Sequence, residues 1–225
     1  MTACWIIFGR YTGLRASKYS QTTQSRIDKH TVDDNGTEIT MAFVRKAIVF
    51  LDMKKRVFEL RCPEDIEHIG FTVAEFIVQK NRANGQKVSL AKHKRFIAMC
   101  PVRAMARIFL RSKRLGEKDD EPIGVYRNSA GKTKYITATQ IAEILQRAVI
   151  AAHDLTDKAE IGKYTAHSLR VWDALLLNRA GCPGPYIQIR LRWKSDSFLN
   201  YLRNTYEIAA THSEILSKID EIYWY

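Results

Sequence analysis

Apolar residues recur at steps of three and four in several stretches of the chain, which places them on one face of an α-helix. This pattern predicts a helix over residues 1–13, and another in "PVRAMARIFLRSKRL", where Pro101 suits the first turn. "TATQIAEILQRAVIAAHD" predicts a third helix, capped by Thr137 or Thr139, and "TAHSLRVWDALLLNRAG" a fourth, ended by Gly181. Shorter helices are expected around "PYIQIRL", "DSFLNYLR" and "YEIAATHSEILSKIDEIY".

Strand patterns are fewer and shorter. "KAIVFLD" and "RVFELRC" predict two short strands. "FTVAEFIVQK" and "QKVSLAK" predict a β-hairpin, in which Asn84 and Gly85 supply the positive-φ turn positions. "GVYRNSAGKTKYIT" predicts a second hairpin or a long loop. The expected fold class is therefore α+β, mostly helical, with a small antiparallel sheet.

Length and composition bound the class of protein. The 225 residues, 46% of them hydrophobic, can bury one good core. No apolar run reaches the roughly 18 residues that a membrane-spanning helix needs, and the apolar start "MTACWIIFGR" lacks the features of a signal peptide. The cysteines form no C-x-x-C pair, which argues against a zinc site or a disulfide framework and for a reducing compartment. No metal site and no cofactor are expected.

The charge of the chain is strongly positive and unevenly placed. The formal net charge is +12, with a pI near 9.6. Residues 163–203 carry seven lysines and arginines against only Asp173 and Asp196, whereas residues 206–225 carry four acids against Lys218 alone. A basic block beside an acidic tail indicates that the chain contacts a polyanion and that this contact has a defined edge.

The stretch "YTAHSLRVWD" places a histidine and an arginine three residues apart at a predicted helix start. Side chains at i and i+3 project from one side of a helix, so His167 and Arg170 can reach one small anionic group. They can equally be a half-buried histidine and a solvated arginine. The pair alone leaves both interpretations open.

Four boxes over roughly residues 5–205 together resemble the catalytic domain of the tyrosine recombinases, the integrases that cut and rejoin DNA. "TGLRASK" resembles the first arginine box, "VQKNRANGQKV" the hairpin with the catalytic lysine, "AHSLRV" the H-x-x-R box, and "LRWKSDSFLNYLRN" the closing box with the tyrosine. The catalytic residues that the resemblance implies are Arg15, Lys80, His167, Arg170, Trp193 and Tyr201.

The resemblance implies a role for each of these residue types. Two guanidiniums hold the non-bridging oxygens of the scissile phosphate, and Tyr201 attacks to form a 3′-phosphotyrosyl bond. Lys80 protonates the leaving 5′ oxygen, and His167 and the arginines help to remove the tyrosine proton. The indole N–H of Trp193 donates to a phosphate oxygen.

Two of these assignments have rivals, and several basic residues are expected to contact the duplex. Lys87, on the opposite strand of the hairpin, is the alternative general acid, and Tyr206 is the alternative nucleophile. The expected duplex contacts are Lys87, Arg190, Arg192, Lys194 and Arg203.

The chain departs from the family's pattern at a few positions. The residue three after the first arginine is usually acidic in the family, whereas here it is Lys18, expected to repel Arg15 unless a phosphate intervenes. Trp172 and Asp173 stand where small residues are usual. The catalytic domain is expected to span residues 1–205, without the family's N-terminal helical domain, followed by an amphipathic helical tail over 206–225.

The leading hypothesis is a site-specific recombinase or integrase catalytic domain acting on double-stranded DNA. A DNA-binding remnant that no longer cuts and a nicking enzyme like the type IB topoisomerases are the alternatives. The resemblance also implies a homotetramer on DNA, in which the tail docks on the neighbouring protomer. The expected location is intracellular, in the nucleus of a eukaryote or with the nucleoid of a prokaryote, and away from membranes.

Overall fold

The computed structural model describes residues 2–13, 15, 18, 36, 40–78, 84–193, 199, 210, 213, 214 and 217. The chain divides into two compact units, Met1–Asp173 and Ala174–Tyr225. The predicted domain bounds, 1–205 and 206–225, stay a prediction.

The first unit contains an antiparallel sheet of three strands, β1 (Ile48–Leu51), β2 (Phe71–Phe76) and β3 (Gln86–Ala91), in the order β1-β2-β3. Along β2 every second residue is buried, so one face of the sheet meets the core. The strand predicted from "KAIVFLD" and the first hairpin are confirmed. A separate hairpin pairs β4 (Val125–Arg127) with β5 (Thr133–Tyr135), which confirms the hairpin alternative for that stretch.

Helices make up most of the remaining regular structure. The first unit contains α1 (Thr2–Thr12), α2 (Pro101–Arg114), α3 (Ala138–His153) and α4 (Lys158–Gly162), and α5 (Ser168–Arg179) crosses into the second unit, followed by α6 (Gly184–Leu191). Thr137, not Thr139, caps α3 through a capping box with Gln140. The α+β class, largely helical with a small antiparallel sheet, is confirmed.

The main core lies in the first unit, between α1, α2 and the buried face of the sheet. Its large, fully buried side chains include Trp5 and Phe8 of α1, Phe76 of β2, and Met105 and Ile108 of α2. These positions on α1 and α2 follow the helical spacing that the sequence shows. In the second unit a smaller cluster joins Ala174, Ile187 and Leu191.

Two strand-level predictions are wrong. "RVFELRC" forms no strand: beyond the turn in which the Asp52 carboxylate accepts the Lys54 and Arg56 amides, its pairing with β1 is limited to one bridge between Leu51 and Val57. In the hairpin, Gly85 has a φ of 77°, but Asn84 has no positive φ. Because β2 ends at residue 76 and β3 begins at 86, the connection is far longer than a two-residue turn.

Other predictions fall on residues outside the described part of the chain. These are the helix around "DSFLNYLR" and most of the amphipathic tail. Among the described residues, the helices are all too short or too polar to cross a bilayer. The four cysteines are free.

Candidate active site

The end of α1 places Arg15. Gly13, with a φ of 53°, takes the left-handed conformation that ends the helix. Arg15 follows two residues later and is half-buried. Burial lowers the pKa of its guanidinium, but from a value so high that the group stays charged at neutral pH.

Arg170 docks on the same helix end. It lies in the first turn of α5, is only 3% exposed, and donates from Nη1 to the carbonyl oxygen of Gly13 at 2.8 Å. The carbonyls at the end of a helix lack partners within that helix and carry partial negative charge, so a guanidinium is a favourable donor to them. The hydrogen bond joins residues 157 positions apart in the sequence.

A glycine allows α5 to approach α1 this closely. A Cβ built on Gly9, which is buried in α1, would lie 3.1 Å from Cδ1 of Leu169. Any larger side chain at position 9 must push Leu169 away, and Leu169 directly precedes Arg170. The packing of Gly9 and the hydrogen bond to Gly13 therefore place the start of α5 against α1.

His167 lies one residue before α5, slightly outside the helix that the sequence predicted for it. Its carbonyl oxygen accepts the amides of Arg170 and Val171, at 3.0 and 3.3 Å, which fixes its backbone to the first turn. Partial burial, then the positive charges of Arg170 and Arg15, lower the pKa of its imidazole. Both arginines therefore lie within electrostatic reach of His167.

The charges that act on His167 are both positive, so the cluster favours an anion. Two guanidiniums held close together repel each other unless a negative group lies between them. Their fork-shaped donor sets match the oxygens of a phosphate, and a neutral imidazole can donate or accept a proton beside it. This chemistry suits the binding and polarisation of a phosphodiester.

Lys18 is the first of the departures from the family's pattern. Its side chain is buried, 6% exposed, and its ammonium donates to the carbonyl oxygens of Met41, at 2.8 Å, and Val78. These carbonyls offset the cost of burying the charge, and the expected repulsion of Arg15 stays a prediction.

The other two departures from the family's pattern are accommodated. Trp172 is half exposed, with the Arg10 guanidinium 5.9 Å from the centre of its ring. Asp173 is buried and raises the pKa of Tyr11, although burial of the phenol is the larger cause. The bulky tryptophan faces outward, so it does not obstruct helix packing.

The general acid remains a prediction. Lys80 lies outside the described residues. Its rival Lys87 is exposed and forms a cross-strand ion pair with Glu75, at 3.5 Å, on the hairpin. An exposed, paired lysine is a weaker candidate for proton delivery, because its ammonium already has a carboxylate partner in solvent.

The second unit contains the remaining described candidates. Trp193 lies two residues after the end of α6 and packs on the small cluster of that unit. Arg190 is half-buried near the end of α6, whereas Arg192 is buried and has a φ of 58°. A duplex contact by Arg192 would need its side chain to turn outward. Tyr201, Tyr206, Lys194 and Arg203 lie outside the described residues.

A basic cavity on α2 was not predicted from the sequence. The cavity, of about 710 Å³, lies between α2 and the segment around Cys62, and its charged lining is Arg61, Glu67, Arg103, Arg107, Arg111, Lys113 and Arg114. Hydrogen bonding to Arg103 lowers the pKa of Glu67 to about 2, so that pair is neutral overall and the other cations are in excess. The sequence signal for this cavity was the spacing of the α2 arginines, which stand four or three residues apart and so share one face of the helix. The net charge of each segment does not reveal this spacing.

No group of three or more potential metal ligands occurs among the described residues. At the cluster of Arg15, His167 and Arg170 the charges that act on the histidine are positive, and such charges disfavour a cation beside it.

Comparison with known proteins gives structural similarity alone. No family model matches the sequence, and no curated protein matches it. The Tn1549 transposon integrase (aa 82–397) in complex with circular intermediate DNA is similar at a TM-score of 0.46 and 16% identity, over 95% of this chain and 59% of that one. A variant of that integrase in complex with transposon right end DNA is similar at 0.45 and 14%, over 95% and 58%. The chain thus spans less than two thirds of these integrases, and likenesses this weak identify neither family nor activity.

Proposed function

We propose that this chain is the catalytic domain of a site-specific DNA recombinase, an integrase that cuts and rejoins duplex DNA through a 3′-phosphotyrosyl intermediate. The observation that carries the proposal is the convergence of Arg15, from the end of α1, with His167 and Arg170, from the start of α5. The four sequence boxes, which occur in the order typical of the family, supply the proposed site residues that lie outside the described part of the chain.

The proposed reaction conserves the energy of the phosphodiester bond. The Oη atom of Tyr201 attacks phosphorus, the bond between phosphorus and the 5′ oxygen breaks, and that oxygen takes a proton from Lys80. The tyrosine proton leaves to a neighbouring base, and His167 is suited to accept it because its lowered pKa keeps the ring neutral. In rejoining, a 5′ hydroxyl attacks the phosphotyrosyl ester and each proton returns.

Arg15 and Arg170 stabilise the transition state in this proposal. Negative charge grows on the two non-bridging oxygens as the new bond forms, and preorganised guanidiniums oppose it without rearranging. They supply the positive charge that other phosphoryl-transfer enzymes take from a metal ion. Trp193 is proposed to donate its indole N–H to the same phosphate.

The proposal extends to the assembly on DNA. A homotetramer on paired duplex sites is proposed, with residues 206–225 of each protomer docked on its neighbour. The support is the recurrence of apolar residues at three- and four-residue steps in that tail, which gives a helix one apolar face for packing on protein and an acidic face that disfavours contact with phosphate.

A labelled duplex with a nick beside the scissile phosphate tests the function. Loss of the short downstream fragment, which carries the freed 5′ hydroxyl, traps the covalent complex, so the chain should form an adduct that survives denaturing gels. Tyr201→Phe should abolish the adduct and Tyr206→Phe, the matched control, should keep it. An adduct that disappears only in Tyr206→Phe moves the nucleophile down the chain.

The same assay separates the alternatives. Retention of duplex without any adduct would mean a DNA-binding remnant. Lys18 is one of the features that favour that alternative, and its ammonium is hydrogen-bonded to the carbonyls of Met41 and Val78. Relaxation of supercoiled DNA of arbitrary sequence, without strand exchange, would mean a nicking enzyme of the topoisomerase kind.

A further inference from the structure

Lys18 is a buried cation with a defined set of acceptors. Burying an ammonium is costly unless its protons are taken up, and two of them here reach the carbonyls of Met41 and Val78. The aromatic rings of Phe76 and Phe43 add to this environment, with centroids 5.5 and 6.0 Å from Nζ. So specific a set of contacts indicates a definite task for the residue.

The backbone of Lys18 is bound as firmly as its side chain. Its amide donates to the carbonyl of Arg15 at 2.9 Å, and its own carbonyl accepts the amide of Phe43 at 2.8 Å. Lys18 therefore closes the turn that begins at Arg15 and attaches it to the segment around Phe43. Its ammonium then reaches across to Val78, 60 positions further on.

Val78 lies where the chain leaves the sheet. It follows β2 by two residues, and the next residues form the connection that carries Lys80. Two residues of chain span at most about 7 Å, so the backbone at Val78 limits where Lys80 can lie. Lys18 therefore holds the last described residue before the connection.

We propose that Lys18 is a positioning residue, which couples the turn that carries Arg15 to the base of the hairpin connection that carries Lys80. One side chain thereby joins the turn after Arg15 to the backbone two residues before the proposed general acid. This inference rests on the proposed function. It also assigns to the lysine a task that an acidic residue at this position could not perform, because a carboxylate would face two carbonyl oxygens.

Lys18→Met tests the proposal, with Lys92→Met as the matched control. Methionine keeps most of the length and apolar volume of lysine but removes the donors. Lys92 makes the same kind of contact, donating to the carbonyls of Ile66, at 3.0 Å, and Glu67, at 2.7 Å, beyond the other end of β3, and it also pairs with the Glu67 carboxylate at 3.3 Å. Both variants remove hydrogen bonds from an ammonium to backbone carbonyls, and the Lys92 variant also removes an ion pair, but only Lys18 lies beside the proposed site.

The first measurement does not depend on activity. The Gly85 amide donates to the carbonyl of Phe76 at 2.9 Å and closes the base of the connection, so its hydrogen exchange reports on that base. Lys18→Met should speed this exchange about tenfold or more relative to amides of α3, and Lys92→Met should not. An unchanged Gly85 amide in Lys18→Met overturns the proposal, whether or not the chain cleaves DNA.

The second measurement uses two nicked duplexes, one with the normal 5′ oxygen at the scissile bond and one with sulfur. A thiol has a pKa of about 8.5, so a sulfur leaving group needs no proton. Lys18→Met should slow cleavage of the oxygen substrate at least about tenfold, which is part of the 10²–10⁴-fold that a general acid contributes. On the sulfur substrate the cleavage rate of Lys18→Met should return to that of the unaltered chain. Lys80→Ala should show the same recovery. If Lys18→Met loses the same fraction of its cleavage rate on both substrates, the proposal is overturned. If the unaltered chain forms no adduct on either substrate, the proposed function is refuted instead.

Discussion

His167 lies within the influence of two guanidiniums, and this position determines its protonation state. Partial burial and the charges of Arg170 and Arg15 all act in the same direction and lower its pKa. The imidazole is therefore neutral at physiological pH, the state in which it can accept the proton of an attacking tyrosine. A phosphate bound between the guanidiniums would partly cancel their effect.

This environment predicts a pH dependence. Between the lowered folded pKa and the unfolded value of about 6.5, the unfolded chain binds more protons at this position, so the free energy of unfolding falls as pH decreases below about 6.5. NMR titration of the imidazole should give a pKa below 6.5 that rises in Arg15→Ala and on binding nicked duplex. Lys87→Ala removes an exposed cation on the hairpin and is the control that should leave it unchanged.

The two arginines are predicted to differ when replaced. Arg15→Ala should abolish cleavage and leave most of the duplex affinity, because its guanidinium mainly stabilises transition-state charge. Arg170→Ala should abolish cleavage and also lower the free energy of unfolding by about 1.5–3 kcal/mol, because it leaves the Gly13 carbonyl without this buried charged donor. Urea unfolding and adduct formation measure the two effects, and equal stability of both variants would contradict this prediction.

At the scale of elements, the site depends on the contact between α1 and α5. Each helix contributes one end, and the Gly9 contact with Leu169 sets their approach. Neither helix contains the site alone. Alterations in this packing should therefore affect catalysis without touching any charged group.

Gly9→Val tests this contact. The added methyl groups must displace Leu169, so the free energy of unfolding should fall by about 1–3 kcal/mol, and cleavage should fall with it as Arg170 shifts. Gly162→Val is the control, because no atom lies within 4 Å of a Cβ built at that helical glycine. Chemical denaturation and single-turnover cleavage of both variants provide the test. A Gly9→Val chain as stable and active as the control would show that α5 is placed by other contacts.

At the scale of the whole molecule, the positive charge extends beyond the predicted basic block. The arginines of α2 at positions 107, 111 and 114 line a cavity and stand about one helical turn apart. Such a row suits a backbone of regularly spaced phosphates. Under the proposed function, this row would give the duplex a contact that carries no information about sequence.

We expect the triple variant Arg107→Gln, Arg111→Gln and Arg114→Gln to weaken duplex binding similarly for all sequences. The slope of log affinity against log salt should shrink by about one for each phosphate that the variant no longer binds. A control triple, Arg56→Gln, Arg127→Gln and Lys134→Gln, makes the same change in net charge at exposed positions away from the cavity. If both triples change the slope equally, the effect is one of overall charge and the α2 row does not bind the duplex.

The sequence by itself determined the local structure and the kinds of chemistry available. The signals that predicted α1, α2, α3, α5 and the hairpins are all local in sequence. They are the helical spacing, the strand alternation, Pro101 at a helix start and Gly181 after a helix end. After β1 the local pattern predicted a strand, but beyond the turn at Asp52 only one bridge forms, because the extent of pairing depends on residues outside the pattern.

Only the tertiary structure decided which of these residues meet. The approach of α5 to α1, the docking of Arg170 on the Gly13 carbonyl and the burial of Lys18 each join segments far apart in sequence. Periodicity carries no information about such pairs, because it records which face of an element is apolar and not which element covers it. From the sequence, a lysine near Arg15 predicted only a repulsion. The fold brings two backbone carbonyls from elsewhere in the chain to the Lys18 ammonium. A buried ammonium lies where such hydrogen-bond partners are, and their position is set by the tertiary structure.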